Sequence, residues 1–371
     1  MREIVYNFNM NEEFKTILQN IEKSLQKALP SGTNEEWQFR TFRNISDSVT
    51  DQHLANLIKP CRNLMDLGGK RWRPLLLILT SELCRESGKN SPLSIQQTYD
   101  ITPLVEFVHT ASLIHDDIED SADTRRGKPA AHITYGLDTA LNAGSWLYFQ
   151  APVVIDSLDA STEFKNQLYA LYTQELRRLH LGQAMDIYWH RNPHLFPSAQ
   201  EYTQMVHCKT GTLASLAVQT GFLAGGATPE EALKAGTIAA FLGEGFQILD
   251  DVQNLTTGNP GKKRGDDIVE GKKSLPVLLH ISENPQDREK ISELFKKAGS
   301  EGIDSPAVED CIGILESKGA VQKALEKGKS TIIENINALV NFFGSAEKSK
   351  SAKMIIELFD SMSQFKKPDS K

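Results

Sequence analysis

The stretch "SLIHDDIEDSADTRRGKPAAH" runs from Ser112 to His132. Four of the five residues from Asp116 to Asp120 are acids, and they directly extend the apolar run Ala111-Ser112-Leu113-Ile114. On a helix Asp116 and Asp120 share a face with Asp117 beside them, so three carboxylates crowd into about one 5.4 Å turn and repel one another. Alone, such a cluster reads as a solvated helix end. An echo weakens that reading: in "GFQILDDVQNL", Asp250 and Asp251 again close an apolar run. Acids at the inner ends of two buried helices cost too much without counter-charge. Their hard oxygens suit Mg²⁺, which takes one or two carboxylates and fills its remaining positions with phosphates and water.

Cations are placed to complete such a site. Lys70, Arg71 and Arg73 lie in "GGKRWRP" ahead of a helix start, and Arg125 and Arg126 follow the first acidic motif. Lys209 lies in "CKTGTL", Lys262, Lys263 and Arg264 in a glycine-rich loop, and Lys272 and Lys273 beyond it. Each singly is an ordinary surface charge. Together, beside two carboxylate motifs, they predict two anion sites, one bridged by metal and one gripped directly by guanidinium and ammonium groups. Two acidic rims would then hold a diphosphate between them through Mg²⁺.

Working outward, helical periodicity dominates and strand signals are weak. Phe14, Ile17, Leu18, Ile21, Leu25 and Leu29 form one stripe over residues 13–29, closed by Pro30. Residues 31–50 read as a polar loop. Pro74 suits a first helical position, and the helix it opens stops at Gly88. Further helices are expected over 99–120, 138–158, 163–190, 199–224, 229–254, 272–282, 286–298, 306–317, 319–343 and 346–365, with breaks near 192–197 and 258–265. Ten or more helices, several apolar on most sides, predict an all-α bundle with buried central helices. The tail 366–371 is expected to be disordered.

Composition narrows the function. Of 371 residues, 40% are apolar, which allows a sizeable core. The net charge of −7 offers no basic field for nucleic acid. Cys61, Cys84, Cys208 and Cys311 have no metal or disulfide spacing and read as thiols of a reducing compartment. The start "MREIVYNFNMNEEF" lacks the pattern of a secretory signal, and no apolar run approaches the ~18 residues of a membrane span. A cytoplasmic protein without stable membrane insertion is expected.

Taken in order, "GGKRWRP", "DDIED…RRG", "KTG", "FQILDD" and "GDDIVEGKKSLP" resemble the all-trans isoprenyl diphosphate synthases over roughly residues 50–285. The sequence is most similar to geranylgeranyl diphosphate synthases of the eukaryotic kind, sharing "IED" with the arginine pair, "YF" at 148–149, "GQ-x-x-DIYW" at 182–189 and "DD-x-x-NL" at 250–255. The resemblance implies a single-domain helical bundle over 50–365 with a central active-site cavity, preceded by an N-terminal extension, 1–49, of unassigned role. It implies a homodimer that uses Mg²⁺ and isoprenoid diphosphates. Asp116, Asp117, Asp120 and Asp250 would hold metal and the allylic diphosphate, with Asp251 helping through water. Arg125, Lys209 and Lys262 would grip that diphosphate, with Lys263 the nearest substitute for Lys262, and Lys272 would join the substrate-binding set. Lys70, Arg73, His109 and Arg126 would bind isopentenyl diphosphate. Thr210 and Gln247 would turn oxygen toward a developing cation. Asn254 stands where the family's second motif usually has its third Asp, removing a charge while keeping an acceptor.

The implied reaction is ionisation, condensation and elimination, which needs no nucleophilic triad because charge neutralisation of the leaving diphosphate carries it. Ala111 and Ser112, a turn before Asp116, are too small to floor a pocket, so a product longer than C15 is expected. Trp146, Tyr148 and Phe149 are candidate walls that would stop growth at C20. A farnesyl or longer-chain synthase is the near alternative. A class I terpene cyclase is the distant one, but residues 250–258 lack the final acid of its second metal motif and "GGKRWRP" would be superfluous there. A non-catalytic partner subunit fits poorly with retention of both acidic motifs.

Overall fold

Apolar residues recurring at helical spacing produce helices along most of the described chain. The computed structural model describes residues 12–258, 263–344 and 347–363. Helices span Glu12–Ala28 (α1), Glu35–Phe42 (α2), Asp51–Asp66 (α3), Trp72–Glu86 (α4), Ile95–Asp100 (α5) and Pro103–Glu119 (α6). A hairpin of Thr124–Arg125 (β1) and Lys128–Pro129 (β2) follows. Then come Ala131–Tyr135 (α7), Leu137–Gln150 (α8), Val153–Asp156 (α9), Thr162–His190 (α10), Ala199–Val206 (α11), a π-helical turn His207–Gly211, Thr212–Ala224 (α12) and Pro229–Thr256 (α13). The chain continues through Asp266–Val269 (α14), Leu275–Glu283 (α15), Arg288–Glu301 (α16), Pro306–Ser317 (α17), Ala320–Val340 (α18) and Lys350–Ser363 (α19). The fold is all-α, as the periodicity predicts. No described helix is long and apolar enough to cross a membrane.

Two compact units emerge. The first comprises residues 12–174, 216–236 and 347–354. Its centre is α4 and α6, whose Leu75, Leu76, Leu77, Leu104, Phe107 and Ile114 are buried on more than one side of each helix. α1 lays Phe14, Leu18, Ile21 and Leu25 toward α4, α5 and α6, and each such side chain stabilises by about 1.5–3 kcal/mol when fully buried. α1 is therefore packed into this unit. The second unit comprises 175–215, 237–344 and 355–363. Trp189, Tyr202, Val206, Ile248, Val252 and Phe295 lie in its core, and α15 packs on α18 while α16 packs on α17.

Several boundaries differ from the sequence reading. The expected loop at 31–50 contains α2. Asn34 caps it by accepting the Trp37 backbone N–H at 2.8 Å, and the buried Trp37 indole donates to the Ala28 carbonyl at 3.0 Å. Trp37 meets Trp146 of α8 edge-on at 6.5 Å and Phe42 stacks on Trp146 at 6.3 Å. Aromatic packing thus stabilises a helix too short to announce itself. The single helix expected over 99–120 is split into α5 and α6, because Pro103 has no N–H to continue a ladder and instead opens α6. Pro152 likewise separates α8 from α9 in the expected 138–158 helix, and the π turn divides the expected 199–224 helix. α4 begins at Trp72, two residues before the expected Pro74. α3 and the hairpin had no counterpart in the periodicity. The tail 366–371 lies outside the described residues. All four cysteines are buried and unpaired.

Candidate active site

In the first unit α6 delivers its acids at its own C-terminal end. Asp117 is 1% exposed, while Asp116 and Asp120 are half-buried. A buried carboxylate requires a counter-charge, and Arg125 of β1 supplies it, donating Nε to Asp117 Oδ1 at 2.7 Å and Nη2 to the same oxygen. Burial still pushes the Asp117 carboxyl above its ordinary range, with Asp116 adding to the effect and Arg125 opposing it. The hairpin then turns in two residues, Arg126 and Gly127, with φ of 52° and 73°. Positive φ at both central positions is the geometry of a type I′ turn. Arg126 is a strained occupant, which is the kind of cost found where a side chain must be aimed.

That side chain reaches the loop ahead of α4. A Cβ on Gly69 would sit 3.0 Å from Nη2 of Arg126, tighter than ordinary contact, and the φ of 150° at this position itself favours glycine. Arg73 crosses the Trp72 ring at 4.4 Å, and Lys70 is exposed beside it. His109 of α6 lies among these groups. Burial first, then the charges of Arg73, Arg126, Arg71 and Arg125, hold its pKa well below 6.5. Arg73, His109 and Arg126, expected to share one anion, are therefore close enough to perturb one another. Several guanidiniums gathered in one patch have the chemistry to grip a polyanion.

The second unit assembles its own polar set. Lys209 lies in the π turn and donates to Asp186 of α10 at 2.7 Å. Thr210 donates to Gln247 Oε1 at 2.9 Å, and Gln247 Nε2 donates to Asp251 at 3.1 Å. Thr210 and Gln247 are therefore joined directly. The reason is close backbone approach: a Cβ on Gly243 of α13 would lie 2.6 Å from the Gly211 Cα. Asp251 is 5% exposed and accepts from the Tyr202 hydroxyl at 2.7 Å and the Leu275 N–H at 3.1 Å. Burial and the charge of Asp267 raise its pKa to about 7. Asp250 is exposed on the same helix. Asn254 is wholly buried, and its Oδ1 accepts the Asp267 N–H at 3.3 Å, a place where a second carboxylate would lack compensation.

Lys272 pairs with Glu270 at 2.6 Å, and Lys263 pairs with Asp304 at 3.1 Å from an exposed position. Lys262 lies outside the described residues. Lys273, next to Lys272, is enclosed between the rings of Phe196 and Phe295, and burial brings its pKa down to about 8 against the pull of Asp186. Sequence reasoning missed Asp186 and Tyr202 as partners of Lys209 and Asp251. Asp186 stood inside the quoted "GQ-x-x-DIYW" without a role, and Tyr202 carried no signal. Ala111 is fully buried and Ser112 donates to the His109 carbonyl at 2.9 Å. Tyr148 packs on the His115 ring at 5.5 Å. Phe149, expected as a wall, is instead 78% exposed, because α8 turns it away from the α6-facing side that Tyr148 occupies.

The donor chemistry fits a hard divalent cation. Asp117 Oδ2 is buried with no hydrogen-bond partner, and the acids around it are acceptor-only when ionised. Among the described residues no three His, Cys, Asp or Glu side chains form a closed cage. Mg²⁺ is ordinarily held by one or two carboxylates with substrate phosphates and water, so an open acid-rich helix end is the form expected of such a site.

A family model described as polyprenyl synthetase matches residues 55–311. The geranylgeranyl pyrophosphate synthase of Penicillium crustosum is 35% identical over 270 residues, 72% of this chain and 73% of that protein. That of Neocamarosporium betae is 34% identical over 295 residues, 78% of each chain. Among solved structures, geranylgeranyl pyrophosphate synthetase from Pyrococcus horikoshii aligns with a TM-score of 0.76 at 25% identity, covering 96% of this chain and all of that one. The enzyme from the archaeon Geoglobus acetivorans aligns with a TM-score of 0.75 at 26% identity, covering 95% of this chain and all of the other.

The lowered pKa of His109 has a signed consequence. Between its ordinary value and its lowered one the unfolded chain takes up a proton that the folded protein refuses, so stability falls as pH drops below about 6.5. Denaturant midpoints measured at about pH 7.5 and about pH 5.5 should differ less in His109→Gln than in the parent. An unchanged difference would show that His109 does not titrate as a neutral, enclosed ring.

Proposed function

This chain belongs to the polyprenyl synthetase family and is a prenyltransferase; on that premise we propose that it condenses isopentenyl diphosphate with an allylic diphosphate and releases geranylgeranyl diphosphate. The observation that carries the reading is the cluster of Arg73, Arg126 and Arg125 about the neutral His109, beside a helix that ends in carboxylates. Lys70, Arg73, His109 and Arg126 bind isopentenyl diphosphate. Arg125, Lys209 and Lys262 bind the allylic diphosphate, and Lys272 joins the substrate-binding set. Asp116, Asp117, Asp120 and Asp250 hold Mg²⁺, with Asp251 acting through water. Mg²⁺ held there would supply charge neutralisation for the leaving diphosphate.

The residues of the chain do the remaining work. Guanidinium and ammonium groups fixed in place stabilise the departing anion without reorganising, the term that usually dominates catalysis. Thr210 and Gln247 place oxygen toward the allylic cation. Apolar helices keep out the water that would quench it. The double bond of isopentenyl diphosphate attacks the cation, and the released diphosphate takes the proton that is lost. Ala111 leaves the pocket open a turn below Asp116, and each further buried carbon contributes about 0.8 kcal/mol, so a steric stop sets the length. Tyr148, which packs on the His115 ring on the α6-facing side of α8, supplies it.

Homodimerisation is part of the same proposal. Leu137, Leu141 and Phe149 lie exposed along α8, with Ile133 of α7 before them. This apolar stripe is the face a second copy would cover. The buried, unpaired thiols suit a reducing compartment, the cytoplasm.

Asp116→Ala and Asp250→Ala should each cut turnover about 100-fold or more at unchanged circular dichroism, since each removes charge stabilisation specific to the transition state. Near-normal turnover in either would remove that residue from the metal site. Light scattering at micromolar concentration should give twice the chain mass, and Phe149→Glu should lower it toward one. Parent protein that stays monomeric would refute the dimer. Ala111→Tyr should shift the dephosphorylated products seen by chromatography from C20 toward C15. A C20 product from that variant would mean that the growing chain does not descend along this face of α6.

A further inference from the structure

Between the cations Lys70 and Arg73 of "GGKRWRP" stands a third, Arg71, whose side chain is buried. Arg71 adopts φ 46° and ψ 26° at the cap of α4, a left-handed conformation that a side chain with a Cβ keeps only when its surroundings over-determine it. Three hydrogen bonds do so. Nε donates to Glu22 of α1 at 2.7 Å, Nη1 to Glu106 of α6 at 2.6 Å, and Nη2 to the Met65 carbonyl of α3 at 2.7 Å. Arg71 and Glu106 are each 3% exposed. The Arg71 carbonyl also accepts the Leu75 N–H at 3.0 Å, so the same residue starts the α4 ladder. Lys70 precedes it directly and Arg73 follows two residues on.

We propose that Glu22, Arg71 and Glu106 form a positioning network for the isopentenyl diphosphate site, in which α1 reaches from outside the family-matched region to fix the loop that carries Lys70 and Arg73. This rests on the assignment of Lys70, Arg73, His109 and Arg126 to isopentenyl diphosphate. Stability alone does not explain the arrangement. Buried ion pairs often stabilise no better than apolar groups of the same volume, and their best-attested use is to select one geometry. The bonds here come from three different helices and converge on one strained backbone unit, so they fix its direction as well as its place. The network also supplies negative charge where positive charge is dense: the carboxylate of Glu106 acts on Arg126 as well as on Arg71. Glu22 lies before residue 55, where the family match begins, so the segment ahead of the synthase region has a functional connection to it.

Steady-state kinetics on the full chain test this. Glu22→Gln keeps the shape and removes the charge. It should raise KM for isopentenyl diphosphate about tenfold, with KM for the allylic diphosphate and kcat within about twofold of the parent. Glu22→Asp, which keeps the charge, should show a smaller rise of the same selectivity. Lys70→Ala is measured alongside. If Lys70→Ala leaves KM for isopentenyl diphosphate unchanged, the substrate assignment itself fails. If Lys70→Ala raises that KM while Glu22→Gln leaves it alone, or shifts both KM values and kcat together, the positioning role fails and the assignment stands. Should Glu22→Gln not fold, Glu22→Asp decides: a selective rise supports the network, and an absent or unselective change overturns it.

Discussion

Asp117 is a carboxylate buried at the end of an apolar helix, and the ion pair that makes this tolerable organises what surrounds it. Arg125 must come to Asp117, so the chain after α6 folds back as a hairpin. The hairpin's tight turn forces Arg126 into a left-handed conformation and lays its guanidinium on Gly69. From Gly69 the loop runs into Arg71, whose side chain returns to α6 at Glu106 and to α1 at Glu22. The circuit begins and ends on α6. Each link is a charge or a backbone contact that a shift of an ångström would lose, because charge-assisted hydrogen bonds are short and directional.

The chemistry explains why so much like charge is tolerated. A site that receives a polyanion needs cations already in place, since reorganising them during reaction would forfeit their benefit. His109 illustrates the consequence: surrounded by arginines, it stays neutral and can share the patch without adding to its repulsion. In the second unit the same economy of space is achieved by glycine. Gly211 and Gly243 let the π turn and α13 meet backbone to backbone, and the direct bond from Thr210 to Gln247 follows from that contact. A π turn inside a helical segment is a common association of irregular backbone with function, and this one carries the Lys209 and Thr210 to which the proposal gives roles.

How much of this was legible in advance depends on the range of the force involved. The stripe of α1, the acids Asp116, Asp117 and Asp120, and the cations around "GGKRWRP" were readable because periodicity and local composition write them directly into the chain. α2 was not, since its stability comes from Trp37 and Phe42 meeting Trp146, a residue far along the sequence. Phe149 was misplaced for a related reason: "YF" marks two aromatics, but only the helix phase of α8 decides that Tyr148 turns inward while Phe149 faces out. Asp186 and Tyr202 became partners of Lys209 and Asp251 only once α10, α11 and α13 were packed.

The sequence by itself determined that the chain is helical, which helices carry the acids, and which family it belongs to, because hydrophobic period, charge and motif order are properties of neighbouring residues. The tertiary structure decided how the acids and cations are compensated. It paired Asp117 with Arg125, set the left-handed turns at Arg71 and Arg126, and gave the N-terminal helix its part through Glu22. Those outcomes depend on which charges are deprived of water together, and desolvation is a property of the packed molecule that no local stretch of sequence contains.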